Sequence, residues 1–321
     1  MKKAMSVLLV AAMVLGLAGG VVGASAADYP RKPITIVVPY SPGGASDTVA
    51  RIYAKELEKI LNNPVIVTNR TGASGAVGLE FVKSSAPDGY TLAYMPVEST
   101  MISALGFTDT KSSDFTFLGR AMTIPASVTV RADSEWKTLD EFLEYAKQNP
   151  EKLRAGNSGT GSIWHIAAAL LERERGSKFI HVPFEGAAPA IAALMGKNIE
   201  LVTVSPSEIQ SAVESGEFRV LAVLGEKRSS ILPEIPTAKE LGVDVVVQGW
   251  GAFAVPKGTP AEIVAILEKA SEEALNSEEM KSLLAKRGFE HAYLNGADMD
   301  AFAQTNLDLF SDLIPSLGIS K

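Results

Sequence analysis

Pro33-Ile34-Thr35-Ile36-Val37-Val38-Pro39-Tyr40-Ser41-Pro42-Gly43-Gly44-Ala45-Ser46-Asp47 is the stretch that decides the fold. The β-branched run Ile34 to Val38 reads as a buried strand. Pro39 and Ser41-Pro42-Gly43-Gly44 break it into a turn. Val49, Tyr53, Leu57, Ile60 and Leu61 then recur at helical spacing. The order is strand, Gly-rich loop, helix. The first amides of a helix have no internal partner and carry partial positive charge. Glycines before them let a carboxylate or phosphate approach the backbone without any Lys or Arg. The plainer alternative is a tight turn with Ser46 or Asp47 as the N-cap.

Working outward, the unit repeats. Val65-Ile66-Val67-Thr68 reads as a strand, Asn69 to Gly78 as a second small-residue loop, and Leu79 and Val82 open a helix. Tyr90 to Met95 is a third strand. Such alternation predicts a parallel sheet covered by helices, with ligands beyond the carboxyl ends of its strands. Phe117 to Val130 crosses into a second lobe. There Leu153 to Gly156 leads into a third loop, Asn157-Ser158-Gly159-Thr160-Gly161-Ser162, and a helix from Ile163. Phe179 to Pro183 and Ile199 to Val204 are further strands, followed by loops at Phe184-Glu185-Gly186 and Ser205-Pro206-Ser207. Val243 to Gly249 returns to the first lobe. Thr259, Pro260 and Glu262 read as N-cap, N1 and N3 of a helix, and two or three helices finish the chain.

Lys2 and Lys3, the apolar run Val7 to Leu17, and Ala24-Ser25-Ala26 form the pattern of a cleaved secretory signal peptide over residues 1–26. No cysteine occurs anywhere. Lipid anchoring, disulfides, thiolate metal sites and Cys nucleophiles are thereby excluded, and a large core must stabilise the chain in an oxidising compartment. About 295 residues remain, enough for one large domain or two ordinary ones. The formal net charge is −7, and loss of the two leader lysines makes it more negative. Nucleic acids and anionic membranes are poor partners for that surface.

Enzyme motifs fit badly. Neither Gly72-Ala73-Ser74-Gly75-Ala76 nor Gly156-Asn157-Ser158-Gly159-Thr160 completes G-x-S-x-G. Gly159-Thr160-Gly161-Ser162-Ile163-Trp164 misses the dinucleotide fingerprint, and Gly196-Lys197-Asn198 is no P-loop. His165, His181 and His291 have no metal-ligand spacing, so neither metal nor cofactor is expected. His181 reads as a core or rim residue. His165, one turn into the third helix, either faces the cleft or packs beneath it. Asp47 reads chiefly as a loop brace. Glu185 is either a solvated first-turn acid or an acceptor for a ligand hydroxyl or amine.

Tyr29-Pro30 through Asp47, Asn69-Arg70-x-Gly72-Ala73-x-Gly75-x-x-Gly78, and Pro87-Asp88-Gly89-Tyr90-Thr91-Leu92 resemble the extracytoplasmic solute receptors of tripartite tricarboxylate transporters, the Bug family. Ser158-Gly159-x-Gly161-Ser162, Gly186-Ala187-Ala188-Pro189-Ala190, Leu221-Ala222-Val223, Pro233-x-Ile235-Pro236-Thr237-x-x-Glu240 and Pro256-x-Gly258-Thr259-Pro260 continue the pattern in order. The resemblance implies an α/β, two-lobed periplasmic-binding-protein fold, each lobe a mostly parallel sheet flanked by helices and joined by hinge crossover strands. Lobe one would comprise 27–126 and 250–321, and lobe two 127–249. It implies a carboxylate held by Tyr40, Ser41, Gly43, Gly44 and Ser46 with Ala73, Ser74 and Gly75; Asp47 joins these candidates from its place in the same turn. Selectivity would come from Ser158, Gly159, Thr160, Ser162, Phe184, Glu185, Gly186 and Ser205, with His165 a further candidate from its place one turn into the helix after loop three. It further implies a monomer that binds a small organic mono- or dicarboxylate and docks on membrane permease subunits. Tyr40 where Phe is commoner, bulky Trp164, and the lack of an Arg or Lys in the second lobe's loops leave the ligand open. Two rivals remain at this stage: a periplasmic sensor for a signalling receptor, and a serine hydrolase using Ser74 or Ser158.

Overall fold

The computed structural model describes residues 28–319 apart from Glu185, so the expected signal peptide and the Glu185 side chain lie outside the described residues. The opening stretch folds as the strand β1 (Ile34–Val38) and the helix α1 (Ala45–Leu61). The second unit gives β2 (Val65–Asn69), a 3-10 turn at Ala73–Gly75, and α2 (Ala76–Lys83). β3 (Thr91–Pro96) follows, then a 3-10 turn at Val97–Thr100 and the long strand β4 (Phe115–Pro125).

The chain then enters a second sheet. Its elements are β5 (Ser127–Arg131), α3 (Leu139–Gln148), β6 (Arg154–Asn157), α4 (Ile163–Arg175), β7 (Ile180–Pro183), α5 (Ala187–Met195), β8 (Leu201–Val202), α6 (Pro206–Glu214) and β9 (Phe218–Val223). β10 (Gln248–Pro256) returns to the first sheet, followed by α7 (Ala261–Leu275), α8 (Glu278–Lys286), β11 (Glu290–Asn295) and α9 (Gly296–Ser316). Among the described residues no helix is long and apolar enough to cross a membrane.

The first sheet has the order β11-β4-β10-β3-β1-β2, the second β7-β6-β8-β5-β9. The expected mostly parallel sheets are in fact mixed. β1 runs parallel to β2 and β3, and β6 to β7 and β8. β4, β10 and β11 pair antiparallel, as does β5 with β8 and β9. The parallel parts come from the strand–loop–helix units, whose helices carry the chain back over the sheet. The antiparallel parts arise because the chain enters the second sheet along β4 and returns beside it along β10. These two strands pair from Gln248 opposite Pro125 to Pro256 opposite Phe115, with the register shifting at Gly251/Ala252 and at Phe253/Ala254. At the crossing, Ala126 N–H donates to Val247 O at 2.9 Å.

The core under the first unit is aromatic. Tyr53 of α1 stacks on Phe253 of β10 with centroids 3.7 Å apart, and Tyr94 meets the same ring edge-on at 5.5 Å. All three side chains are fully buried. The Tyr53 hydroxyl is paired with Ser271 Oγ at 2.6 Å, so its polar end is not left bare. Gly251 of β10 has no room for a methyl group because the Tyr94 hydroxyl fills the space. Such packing pins α1, and hence its N-terminus, to the sheet edge.

Two local expectations shift. Thr259 does not cap α7; its hydroxyl donates to Pro256 O at 2.8 Å, and Pro260 becomes the N-cap. Neither Ser46 nor Asp47 caps α1; that position belongs to Gly44, with no side-chain cap. β11 had no expectation at all. It is a half-buried edge strand whose residues alternate only weakly.

Candidate functional site

Loop one leaves β1 buried and emerges at Tyr40. Gly43 takes a left-handed φ of 86°, which glycine adopts without the Cβ clash, and turns the chain into α1. Gly44 is extended, with φ −75° and ψ 178°. The helical ladder starts with Thr48 N–H donating to Gly44 O at 2.9 Å. The amides of Ala45, Ser46 and Asp47 therefore precede any helical acceptor and stand at the positive end of the dipole. Ser41, Gly43 and Gly44 are exposed there. The Ser46 hydroxyl is hydrogen-bonded to buried Tyr94, which holds the first turn down on the sheet.

Asp47 is the clamp of this loop and is only 4 % exposed. Its carboxylate accepts from Gly43 N–H, Arg51 Nε and Arg51 Nη2, each at 2.9 Å, and from Asn69 Nδ2 at 3.0 Å. Asn69 also donates to Tyr40 O at 2.8 Å, tying loop one to the end of β2. Burial alone would raise the Asp47 pKa, but the bonds from Arg51, Gly43 and Asn69 outweigh it and hold the carboxylate below its usual range. With both oxygens occupied, Asp47 aims the loop and leaves ligand contact to others.

Loop two is strained. Ala73 and Ser74 both have left-handed φ values, 46° and 52°, ahead of Gly75 at 98°. Non-glycine residues in that region cost about 1–2 kcal/mol each. The turn is closed by Gly75 N–H to Gly72 O at 3.0 Å and anchored by the Tyr40 hydroxyl donating to Ser74 O at 3.3 Å.

Loop three belongs to the other sheet and meets loop two. Ser74 Oγ lies 3.5 Å from Thr160 O, and Gly161 is packed so tightly against Leu105 that a Cβ there would collide with it. Its backbone is internally braced: Gly159 N–H to Asn157 Oδ1 at 3.0 Å, and Ser162 N–H to Gly159 O at 3.0 Å. Ser158 and Gly159 are half-buried, and Thr160 is exposed. Phe184 N–H donates to Asn157 O at 3.0 Å, which sets the Phe184 loop beside loop three. Gly186, left-handed at φ 117°, is the N-cap of α5.

Three expected contact residues in the second lobe are committed elsewhere. Ser162 is the N-cap of α4, accepting from His165 N–H at 3.2 Å. Ser205 is fully buried in a capping box, donating to Glu208 Oε2 at 2.7 Å. His165 packs beneath loop three, 7 % exposed, with Nδ1 accepting from Gly161 N–H at 3.0 Å. Its ring lies 4.5 Å from that of His181, whose Nε2 is 3.1 Å from Glu172. Among the described residues neither Ser74 nor Ser158 is hydrogen-bonded to a histidine.

His165 carries a pH signature. Burial, reinforced by His181 and opposed by Glu172, lowers its pKa from 6.5 to about 4. The unfolded chain therefore binds a proton that the folded chain refuses throughout that window. Stability falls as pH drops from 6.5 toward 4, by up to about 3 kcal/mol from this group. His165→Asn keeps an acceptor for Gly161 N–H and removes the titration. Urea unfolding of that variant is expected to show a shallower loss of stability between about pH 6.5 and 4 than the parent. An unchanged slope would show that His165 does not titrate as described.

Glu98 went unremarked in the sequence. It lies in the 3-10 turn after β3, 7 % exposed, and its Oε1 accepts from Ile163 N–H of α4 at 3.2 Å. The Tyr40 hydroxyl also hydrogen-bonds to it. Burial raises its pKa, and the bonds from its own amide, Ile163 and Tyr40 only partly offset that. The signal that was available is positional: an acid directly following a buried strand of the parallel trio must lie at the same sheet edge as loops one and two.

Comparison with known proteins bears directly on this geometry. Residues 49–319 match the model of the tripartite tricarboxylate transporter family receptor. The chain belongs to this family. A relative from the gbd 5′ region of Cupriavidus necator is 35% identical over 96% of this chain and 94% of its own. Among solved structures, Rhodopseudomonas palustris Rpa4515 with adipate superposes with a TM-score of 0.83 at 28% identity, covering 91% of this chain and 99% of that one. MatC from the same organism, with bound malate, gives 0.79 at 27% identity, covering 89% and 100%. This tricarboxylate-transporter receptor thus has the two-lobed periplasmic-binding-protein fold, and its role is to bind a solute, not to transform one.

Proposed function

We propose that the chain is an extracytoplasmic receptor that closes on a small organic carboxylate and delivers it to a tripartite tricarboxylate permease. The observation that carries this reading is the set of amides at Ala45, Ser46 and Asp47, which open α1 at the sheet edge where loop two meets loop three of the other lobe. Charge-assisted bonds from such donors contribute about 1.5–3 kcal/mol each, so two or three with some burial account for micromolar affinity. The adipate and malate in the two R. palustris relatives support the ligand class. The moving bodies in this reading are 27–126 with 250–321, and 127–249, hinged at the adjacent crossings of β4 and β10. The leader pattern at residues 1–26 supports export to the periplasm.

Ligand that binds only the folded state raises the melting temperature by mass action. A thermal-shift screen of mono- and dicarboxylates, with neutral sugars and simple cations as controls, is expected to show stabilisation by carboxylates alone. Shifts by sugars or cations, with none from any carboxylate, would overturn the proposal.

A further inference from the structure

Loops one and three lead into similar helix starts but differ in what their amides meet. The N-cap of α1 makes no side-chain hydrogen bond, and the acid in its first turn, Asp47, turns back to accept from Gly43, Arg51 and Asn69. At the start of α4 the amides are largely spent: Gly161 N–H, just before the N-cap, goes to His165 Nδ1, and in the first turn His165 N–H goes to Ser162 Oγ and Ile163 N–H to Glu98 Oε1. Glu98 reaches α4 from the opposite lobe, so an acid of the protein itself lies on the anion-attracting end of that helix. Among the described residues no Lys or Arg forms an ion pair with it. Glu208, in the first turn of α6, is a second buried acid, and burial together with nearby Glu98 raises its pKa. Two buried polar atoms near these elements in the chain, Ser99 Oγ and Asn157 Nδ2, have no hydrogen-bond partner.

We infer that Glu98 is the specificity-determining residue of this receptor: it fills the second lobe's anion position with a protein carboxylate, so the ligand is an acid with one carboxylate and a hydrogen-bond-donating far end. The inference rests on the receptor reading above and narrows it. In this reading a ligand carboxylate sits on loop one and its other end lies toward Glu98, which is held between Tyr40 of loop one and the start of α4. A second carboxylate there adds negative charge beside an acid that burial already disfavours as an anion, and in a site of low dielectric the two are not both ionised without a penalty. A hydroxyl, amide or ammonium donates to Glu98 and relieves an acid that burial otherwise penalises. The predicted class is therefore hydroxy- or amino-substituted monocarboxylic acids, with dicarboxylates such as adipate disfavoured.

The test is calorimetry and thermal shift at about pH 8 with probes matched in length: adipate, 6-hydroxyhexanoate, 6-aminohexanoate and hexanoate, and the corresponding four-carbon set beginning with succinate. The parent protein is expected to bind a donor-ended acid at least about ten-fold tighter than the dicarboxylate of the same length. In Glu98→Gln that ratio is expected to shrink by about ten-fold or more, while the plain monocarboxylate changes little. If Glu98→Gln gives no cooperative melt, Glu98→Ser serves as the second variant. A parent that prefers dicarboxylates, or a ranking unchanged by both variants, overturns the role of Glu98 and leaves the receptor reading standing. Binding of none of these acids overturns both.

Discussion

Gly44→Val is expected to lower carboxylate affinity by about a hundred-fold or more while the protein still folds. The backbone there is extended and exposed, and a Cβ would meet only Ser41 O at 3.7 Å, so a side chain introduces no strain. Replacing a glycine N-cap by valine weakens α1 by about 1 kcal/mol, a shift of a few degrees in melting temperature. The effect on binding is larger for a geometric reason. A branched side chain at the N-cap stands over the amides of Ala45 and Ser46, and an acid needs to come within about 3 Å of them. Losing two charge-assisted bonds removes about 3–6 kcal/mol. Calorimetry with whichever acid stabilises the parent most, alongside a melt of the variant alone, separates the two effects. Unchanged affinity would place the acid somewhere other than the start of α1.

Asp47→Ala is expected to cost about 3 kcal/mol of stability and most of the ligand affinity together. The carboxylate is nearly inaccessible and receives four hydrogen bonds from three residues. Its removal leaves the Gly43 amide and the Asn69 side chain without that acceptor, a penalty larger than the net worth of the bonds themselves. Arg51 is half exposed and re-solvates, so its share is small. The sign with pH follows from the lowered pKa. Asp47 stabilises the fold above its unfolded value of 3.8, and that stability is lost as pH falls through the still lower folded value. Urea unfolding of Asp47→Ala is therefore expected to be less acid-sensitive below about pH 4 than that of the parent. A variant as stable as the parent at neutral pH would show that the clamp around Gly43, Arg51 and Asn69 is not what holds loop one.

Where the chemistry is local, the sequence is readable. Ile34 to Val38, the two glycines and the Val49-Tyr53-Leu57 spacing give β1, loop one and α1 because β-branching, a broken register and helical period are properties of neighbouring residues. Val65 to Asn69 and Arg154 to Asn157 yield the same way. The mixed character of the sheets was hidden, since whether β4 and β10 lie side by side is decided by residues more than a hundred positions apart. β11 was missed because an edge strand with one shoulder in water needs no strong alternation.

The site divides along the same line. Loops one, two and three announce themselves through Gly43, Gly75 and Gly159, residues whose positive φ the turns require. His165 gives no local sign that its acceptor nitrogen is taken by Gly161, or that His181 from β7 lies against it. Glu98 reads as an ordinary acid in Pro96-Val97-Glu98-Ser99 until the second lobe brings the Ile163 amide to it. Contacts of this kind, made between residues far apart in the chain, have no signature in either segment alone.

The most direct test is amide NMR of the 15N-labelled protein titrated with the most stabilising carboxylate from the screen. Backbone N–H groups that take up an acid move strongly and to lower field, because the bond to a charged acceptor deshields the proton. The predicted result is that the largest downfield shifts fall on Ala45, Ser46 and Asp47, with smaller ones in Ala73 to Gly75. Saturable shifts centred on lysine- or arginine-bearing surfaces, with the start of α1 unmoved, would contradict capture of the acid by uncharged peptide groups.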